Sequence, residues 1–181
     1  MGAIKQLLQI ADKLAIRRCI DALHTAGVET IILVLGANKK DILPVISGLP
    51  VCVTFNERPE SEMADSVRTG LSAVDHSSSG VLISLSDHPL VLPETIRSLM
   101  SAHHICPGRI IVPAYKGRRG HPCLFPLQVV KRLLPGKTLR DIIQEEPGNV
   151  RLVDVPDEGI ILDMDTREDY RRICDILKGR Q

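Results

Sequence analysis

The stretch GVLISLSDHPLVLP (80–93) decides how the chain is read. Six positions from Val81 to Ser86 form a mostly apolar run, which then meets Asp87, His88 and Pro89. A run of this kind suits a strand covered on both faces, as in a parallel sheet flanked by helices. In such sheets ligands bind in the crevice beyond the carboxyl ends of the strands. Asp87, held stiffly by the proline two residues on, would overhang that crevice. Two uses are open to it. Magnesium takes one or two carboxylates together with waters and phosphate oxygens. An aspartate leaving a strand can equally cap the turn that follows.

Working outward, strand and helix signals alternate. Asp12 to Ala26 predicts an amphipathic helix, with Asp12 as N-cap and Gly27 as its stop. ETIILVLG (29–36) and VCVTFN (51–56) predict strands around a short helix that ends at Ile46. Residues 61–74 predict a helix with Met63, Val67, Leu71 and Val74 on one stripe. Pro93 opens a further helix to about His103. Beyond it come strands at 109–114 and 123–126, short helices at 127–134 and 139–145, strands at 151–156 and 159–165, and a last helix over 167–178. The repeated alternation predicts an α/β, Rossmann-like fold with a mostly parallel sheet and helices on both faces. With 181 residues, one domain over 1–181 is expected. Gly36-Ala37-Asn38, Asn56-Glu57 and Asp163-Met164-Asp165 should join Asp87 at the strand ends.

Composition narrows the setting. Basic and acidic residues number 23 and 22, so no bulk attraction to nucleic acid or a membrane surface follows. No apolar run approaches the ~20 residues of a membrane span, and no signal peptide is evident at the start. The five cysteines are scattered without a C-x-x-C, the pattern of reduced thiols in a cytoplasmic protein.

Three further stretches carry polar chemistry. GRRGHP (117–122) reads as a flexible cationic loop suited to phosphate, or as a solvated hairpin turn, and composition alone favours the turn. In DMDT (163–166) the two aspartates fall on one face of a strand, where they could share a cation or leave Asp165 or Thr166 to cap the last helix. His103-His104-x-Cys106 has metal-ligand residue types, but no fourth ligand accompanies them and structural zinc wants four. No complete P-loop, G-x-G-x-x-G or G-x-S-x-G occurs.

KQLL (5–8), LVLG (33–36), SLSDHPLV (84–91), GRRGHP and DMDTREDY (163–170) stand in an order and spacing that resemble the molybdenum cofactor nucleotidyltransferases. The cytidylyltransferase branch is the nearer and the guanylyltransferase branch a cousin, and the resemblance spans almost the whole chain. It implies Mg²⁺-dependent transfer of CMP or GMP from CTP or GTP to a molybdopterin-type pterin phosphate, with a molybdoenzyme as an eventual partner. Carried over by position, Asp87 is the metal-binding catalytic aspartate and Lys5 the lysine on the triphosphate. Asp165 and Asp163 become further metal ligands. Arg119, Gly120, His121 and Pro122 face the pterin, while Ser66 and Arg68 lie near the base or the substrate. A sugar-phosphate nucleotidyltransferase shares the fold logic but accounts less well for GRRGHP.

Two departures accompany the resemblance. The family opens with a strand and a glycine-rich turn before a Met-Gly, and this chain begins at that Met-Gly, so an N-terminally incomplete fold is expected. Such a strand is central, and its loss would leave two strand edges that pair directly or join a partner chain. Glu62-Met63-Ala64 stands where the family has Gly-Met-Ser, bringing a carboxylate close to anionic ligands. Either the true start lies upstream, or the protein is a catalytically degenerate relative that binds or delivers the cofactor. Backbone N–H groups of a glycine-rich loop are what grip phosphate. Calorimetric titration of the 181-residue chain with CTP and Mg²⁺ should therefore show weak binding or none, and micromolar affinity would contradict this expectation.

Overall fold

Period-two alternation sorts the side chains of the main sheet between two helical layers. The structure is a computed structural model that describes residues 4–58 and 62–179. Its opening segment carries a small antiparallel ribbon, β1 (Gln9–Ile10) and β2 (Lys13–Leu14), followed by α1 (Ala15–Ala26). Then come β3 (Ile32–Leu35), α2 (Lys39–Ile46), β4 (Cys52–Phe55), α3 (Met63–Leu71), β5 (Gly80–Ile83) and α4 (Pro93–Ile105). The rest of the chain supplies β6 (Ile110–Tyr115), β7 (Arg118–Arg119), β8 (Cys123–Pro126), α5 (Leu127–Val130), α6 (Leu139–Glu145), β9 (Val150–Asp154) and α7 (Arg167–Gly179).

β6 is the hub of the larger sheet. It pairs parallel with β9 and antiparallel with β7 and β8, and β8 pairs antiparallel with β5. Two reversals make β5 parallel to β6, so β5, β6 and β9 run one way and β8 runs against them. Ile110, Val112, Cys123 and Phe125 bury against α5 and α6, joined by Val81 and Ile83. Ile111, Leu124 and Leu82 bury on the opposite face against Leu99 and Ala102 of α4. The fold is thus an α/β sandwich with a mixed, mostly parallel sheet between helical layers.

β3 and β4 form a separate parallel pair, with Ile32 opposite Cys52 and Leu35 opposite Phe55. Among the described residues no ladder joins β3 to β5, so the two edges do not close on one another. For that reason Ile32 to Val34 are half-buried, although the sequence predicts a strand covered on both faces.

Local departures have local causes. The first helix begins at Ala15, not at Asp12, because residues 9–14 turn in the ribbon with Ala11 at φ 51°. Asp12 is drawn into an ion pair with Arg18, 2.6 Å. Gly27 does stop the helix, in the left-handed region at φ 87°. The helix predicted over 61–74 spans Met63–Leu71, and its predicted first residue lies outside the described residues. The strand expected over 159–165 is replaced by a tight 3₁₀ turn, Glu158–Ile161, and an extended tail.

That turn is packed backbone to backbone. A Cβ at Gly159 would lie 2.4 Å from the Leu90 carbonyl oxygen, and one at Gly120 would lie 2.2 Å from that of Ile160. The buried Asp157 carboxylate completes the clamp, accepting from Leu92 N–H (2.9 Å), Thr95 Oγ1 (2.8 Å) and Gly159 N–H (2.9 Å). Overpacking of this kind costs roughly 1–3 kcal/mol. Gly120→Ala should lower the unfolding free energy by that order and so lower the urea midpoint, whereas Gly108→Ala, with nothing within 4 Å of the added methyl, should leave the midpoint nearly unchanged. Equal midpoints for the two variants would contradict the close approach.

Candidate active site

The segment leaving β5 crosses the C-terminal rim of the sheet and carries Ser86, Asp87 and His88. Gln6 Nε2 donates to Ser86 Oγ at 3.2 Å, and the Cys19 thiol of α1 points at the Ser86 carbonyl, 3.7 Å. Burial, reinforced by the charge of Asp87, pushes that thiol up to about 12, so it stays protonated. Asp87 Oδ1 and His88 Nδ1 are both buried with no hydrogen-bond partner. The nearest opposite group for that oxygen is His88 Nε2, 3.8 Å away. The His88 ring lies 5.4 Å from that of His121, tilted by 49°.

From the other side comes the tail after the 3₁₀ turn. Met164 is fully buried and its neighbours Asp163 and Asp165 are exposed, so both carboxylates face outward together, as the alternation predicts. Asp165 pairs with Lys5 at 2.7 Å. The Lys5 ammonium is held above its ordinary range first by that hydrogen bond, with the charges of Asp87 and Asp163 adding to it. One lysine therefore senses all three predicted carboxylates. The last helix does not need Asp165 as its cap, since Thr166 exchanges hydrogen bonds with Asp169 instead.

GRRGHP divides into two parts. Lys116 and Gly117, at φ 48° and 78°, make the two-residue turn of a hairpin, the geometry such turns require. Arg118 and Arg119 are the exposed arm of that hairpin, so the solvated-turn reading holds for them and the flexible-loop reading does not. Gly120 and His121 are pinned. Gly120 N–H donates to the Pro113 carbonyl (3.0 Å) and His121 N–H to that of Ile160 (2.9 Å). The peptide between His121 and Pro122 is cis. Burial, and then the neighbouring His88, hold the His121 imidazole below its ordinary 6.5, with Asp87 and Asp163 opposing weakly.

Ser66 and Arg68 gather elsewhere on the rim. Asn56, buried at the end of β4, donates to Ser66 Oγ (3.1 Å) and accepts from Arg58 N–H (3.2 Å). Arg68 is tied to Asp65 and to the Leu134 carbonyl. These residues surround a cleft of about 230 Å³ lined by Asn56, Arg58, Asp65, Arg68 and Thr69. No hydrogen bond or ion pair among the described residues links this cleft to the Asp87–His121 group.

Sequence reasoning chose Asp87 and His121 but gave no role to three residues around them. His88 and Gln6 were present in the quoted motifs, whereas Asp157 gave no signal because its partners Leu92 and Thr95 are distant in sequence. His103-His104-x-Cys106 is not a metal site. His103 is buried against Ser79 Oγ (3.2 Å), and Cys106 accepts from Arg151 (2.9 Å). Among the described residues no three His, Cys, Asp or Glu side chains are drawn together closely enough to hold an ion. The unpartnered, buried Asp87 oxygen nonetheless fits a cation that completes its sphere with waters and phosphate oxygens. Asp163 is the available second carboxylate, since Asp165 is engaged by Lys5.

Comparisons with known proteins give the family. Residues 1–150 match the family model described as the MobA-like NTP transferase domain, and the chain belongs to that family. Among characterised proteins it is similar to the nicotine blue oxidoreductase of Paenarthrobacter nicotinovorans, 27% identical over 93% of this chain and 87% of that one. Among solved structures it is similar to Rv0371c of Mycobacterium tuberculosis, with TM-score 0.83 and 28% identity over 97% of this chain and 90% of that one. A manganese complex of the same Rv0371c protein aligns with TM-score 0.81 and 28% identity over 96% of this chain and 93% of that one. A nucleotidyl transferase of Methanothermobacter shares the fold, with TM-score 0.85 and 20% identity over 98% of this chain and 86% of that one.

His121 and the buried His103, which burial also holds low, both resist protonation in the folded state. The unfolded chain binds protons first as the pH falls through 6.5, so stability drops there. NMR titration should place His121 below 6.5, and a higher value would contradict the buried setting.

Proposed function

We propose that this rim transfers CMP, or GMP, from CTP or GTP to a molybdopterin-type pterin phosphate. The unpartnered Asp87 carboxylate oxygen, buried at a strand end beside a lysine that senses three carboxylates, carries the reading. A magnesium ion bound at Asp87 and Asp163 would neutralise charge on the bridging phosphates. The Rv0371c relative, solved as a complex with manganese, supports the use of a divalent ion. The two resident cation and imidazole groups do the remaining work. Lys5 supplies positive charge to the triphosphate, exchanging Asp165 for phosphate oxygens. His121, kept neutral, offers a ring nitrogen to the pterin phosphate without adding charge. The acceptor's phosphate oxygen attacks the α-phosphorus, a P–O bond forms there, and the bond to the leaving pyrophosphate breaks. Such a transfer depends on positioning and electrostatics and needs no covalent intermediate with the protein.

Arg119, Gly120 and Pro122 support the reading as a rigid wall, not a mobile clamp. The Ser66–Arg68 cleft would hold the base, and its Asn56 amide is the donor best placed to sense it. The five cysteines form no disulfide, and no helix among the described residues is long and apolar enough to cross a membrane. Both are in keeping with work in the cytoplasm and delivery to a molybdoenzyme. A second reading, a catalytically degenerate module that holds the cofactor, draws on Glu62, whose N–H donates to the cleft residue Asp65 and whose carboxylate adds negative charge on that side of the rim.

Pyrophosphate release from millimolar CTP or GTP with a pterin acceptor separates the two. Release indicates the transferase, and acceptor binding without release indicates the module. Asp87→Asn should cut turnover at least a hundredfold while leaving the melting temperature unchanged or higher, because the side chain is 30% exposed and its Oδ1 has no hydrogen-bond partner to lose. Full metal-dependent turnover in that variant would overturn the assignment.

A further inference from the structure

β4 is bonded to β3 on one side and, among the described residues, to no strand on the other. Cys52 and Asn56 donate their N–H groups to the Ile31 and Leu35 carbonyls. By the alternation of a strand, Val53 and Phe55 therefore turn their N–H and C=O groups to the open side. Such edges are ordinarily blunted by charge, proline or a bulge. β7 consists of two arginines, and β9, the outer strand beside β6, carries Arg151 and Asp154. β4 reads Cys-Val-Thr-Phe and has none of these devices. The open side is also apolar. Val53 and Phe55 stand opposite Leu33 and Leu35, which pack with Ile42 and Ile46 of α2. That helix stops short of covering them, leaving Val53 36% and Phe55 42% exposed. Lys39 Nζ of α2 lies 5.3 Å from the centre of the Phe55 ring. Leu43, one turn on along the same helix face, is 38% exposed. The Lys39 charge is balanced by Glu57 at 2.6 Å. Leu43, Val53 and Phe55 thus form an uncharged patch beside a row of open backbone groups.

We propose that this edge is the seat of a symmetric dimer, in which β4 pairs antiparallel with β4 of a second copy about a two-fold axis at Thr54. A two-fold axis perpendicular to the sheet keeps the helical layers of both copies on matching faces, so residues on the same face of β4 must stand opposite one another. The neighbouring registers of that kind fail. Centred on Val53, the pairing sets Phe55 against Val51, whose N–H is already taken by the Leu49 carbonyl at 2.8 Å. Centred on Phe55, it sets Val53 against the charged Glu57. Centred on Thr54, it sets Val53 against Phe55 of the partner subunit and Thr54 against Thr54 of the partner subunit. Every outward N–H and C=O of Val53 and Phe55 then finds a partner. Aromatic–β-branched and Thr–Thr pairs are also among the favourable cross-strand contacts. The strand is complementary to itself, which is what a two-fold interface requires.

The test is sedimentation equilibrium. At roughly 100 μM the chain should sediment at twice its own mass. V53K and F55E should each weaken association at least tenfold, because each sets an unpaired charge against an apolar partner. An equimolar mixture of the two should regain the dimer, because the introduced charges then meet across the two-fold axis while Phe55 of one chain keeps Val53 of the other. A misfolded variant cannot regain it, so the mixture separates lost pairing from lost folding. I105K, at a residue of α4 that is 69% exposed, should leave the dimer intact. A monomeric parent chain would overturn the proposal and leave the edge to a different partner. Dimers that persist in V53K or F55E, a mixture that stays monomeric, or loss of the dimer in I105K would overturn it as well.

Discussion

A buried carboxylate holds the rim together. Asp157 takes two backbone N–H groups and one hydroxyl from the segments on either side of it. Those bonds fix the loop after β5 against the 3₁₀ turn, where Gly159 and Gly120 allow backbones to approach within a methyl group's width. The positions of Asp87, His88, His121 and Asp163 all follow from that clamp. Hydrogen bonds to a charged acceptor are worth about 1.5–3 kcal/mol each. These rim groups therefore need no rigid loops of their own and ride on a braced frame.

Within that frame, charge is arranged unevenly. Lys5 answers Asp165 directly and senses the other two carboxylates. Asp87 is left with an oxygen that nothing in the fold satisfies. Leaving such a group buried is costly, and a fold that tolerates it has a reason. The two imidazoles beside it, with His121 held neutral, add polar surface without competing positive charge. The result is an unpartnered carboxylate oxygen next to a lysine and two imidazoles, the arrangement on which the proposed metal–triphosphate reading rests.

Much of this was legible in the amino-acid order. The aliphatic runs located β3, β5 and β6, and the alternation in DMDT put Asp163 and Asp165 on one side even though no regular strand forms there. Gly27 and Pro93 marked helix ends that the structure keeps. What could not be read was long-range. Asp157 gave no signal because its partners Leu92 and Thr95 lie more than sixty residues away. GRRGHP allowed a flexible loop or a solvated hairpin turn, and composition cannot show that Gly120 is pressed on Ile160. Asp12 looked like a cap because the ribbon at 9–14 competes with the helix only through pairing, which local propensity does not see.

The central claim is that a divalent cation is held at the Asp87 carboxylate, within reach of the two imidazoles. Paramagnetic broadening by Mn²⁺ measures this directly in the resting protein. Substoichiometric Mn²⁺ should broaden the ring signals of His88 and His121 first and leave those of His24, His76 and His103 sharp. Uniform broadening of all six histidines, or sharp signals from His88 and His121 at saturating metal, would contradict it.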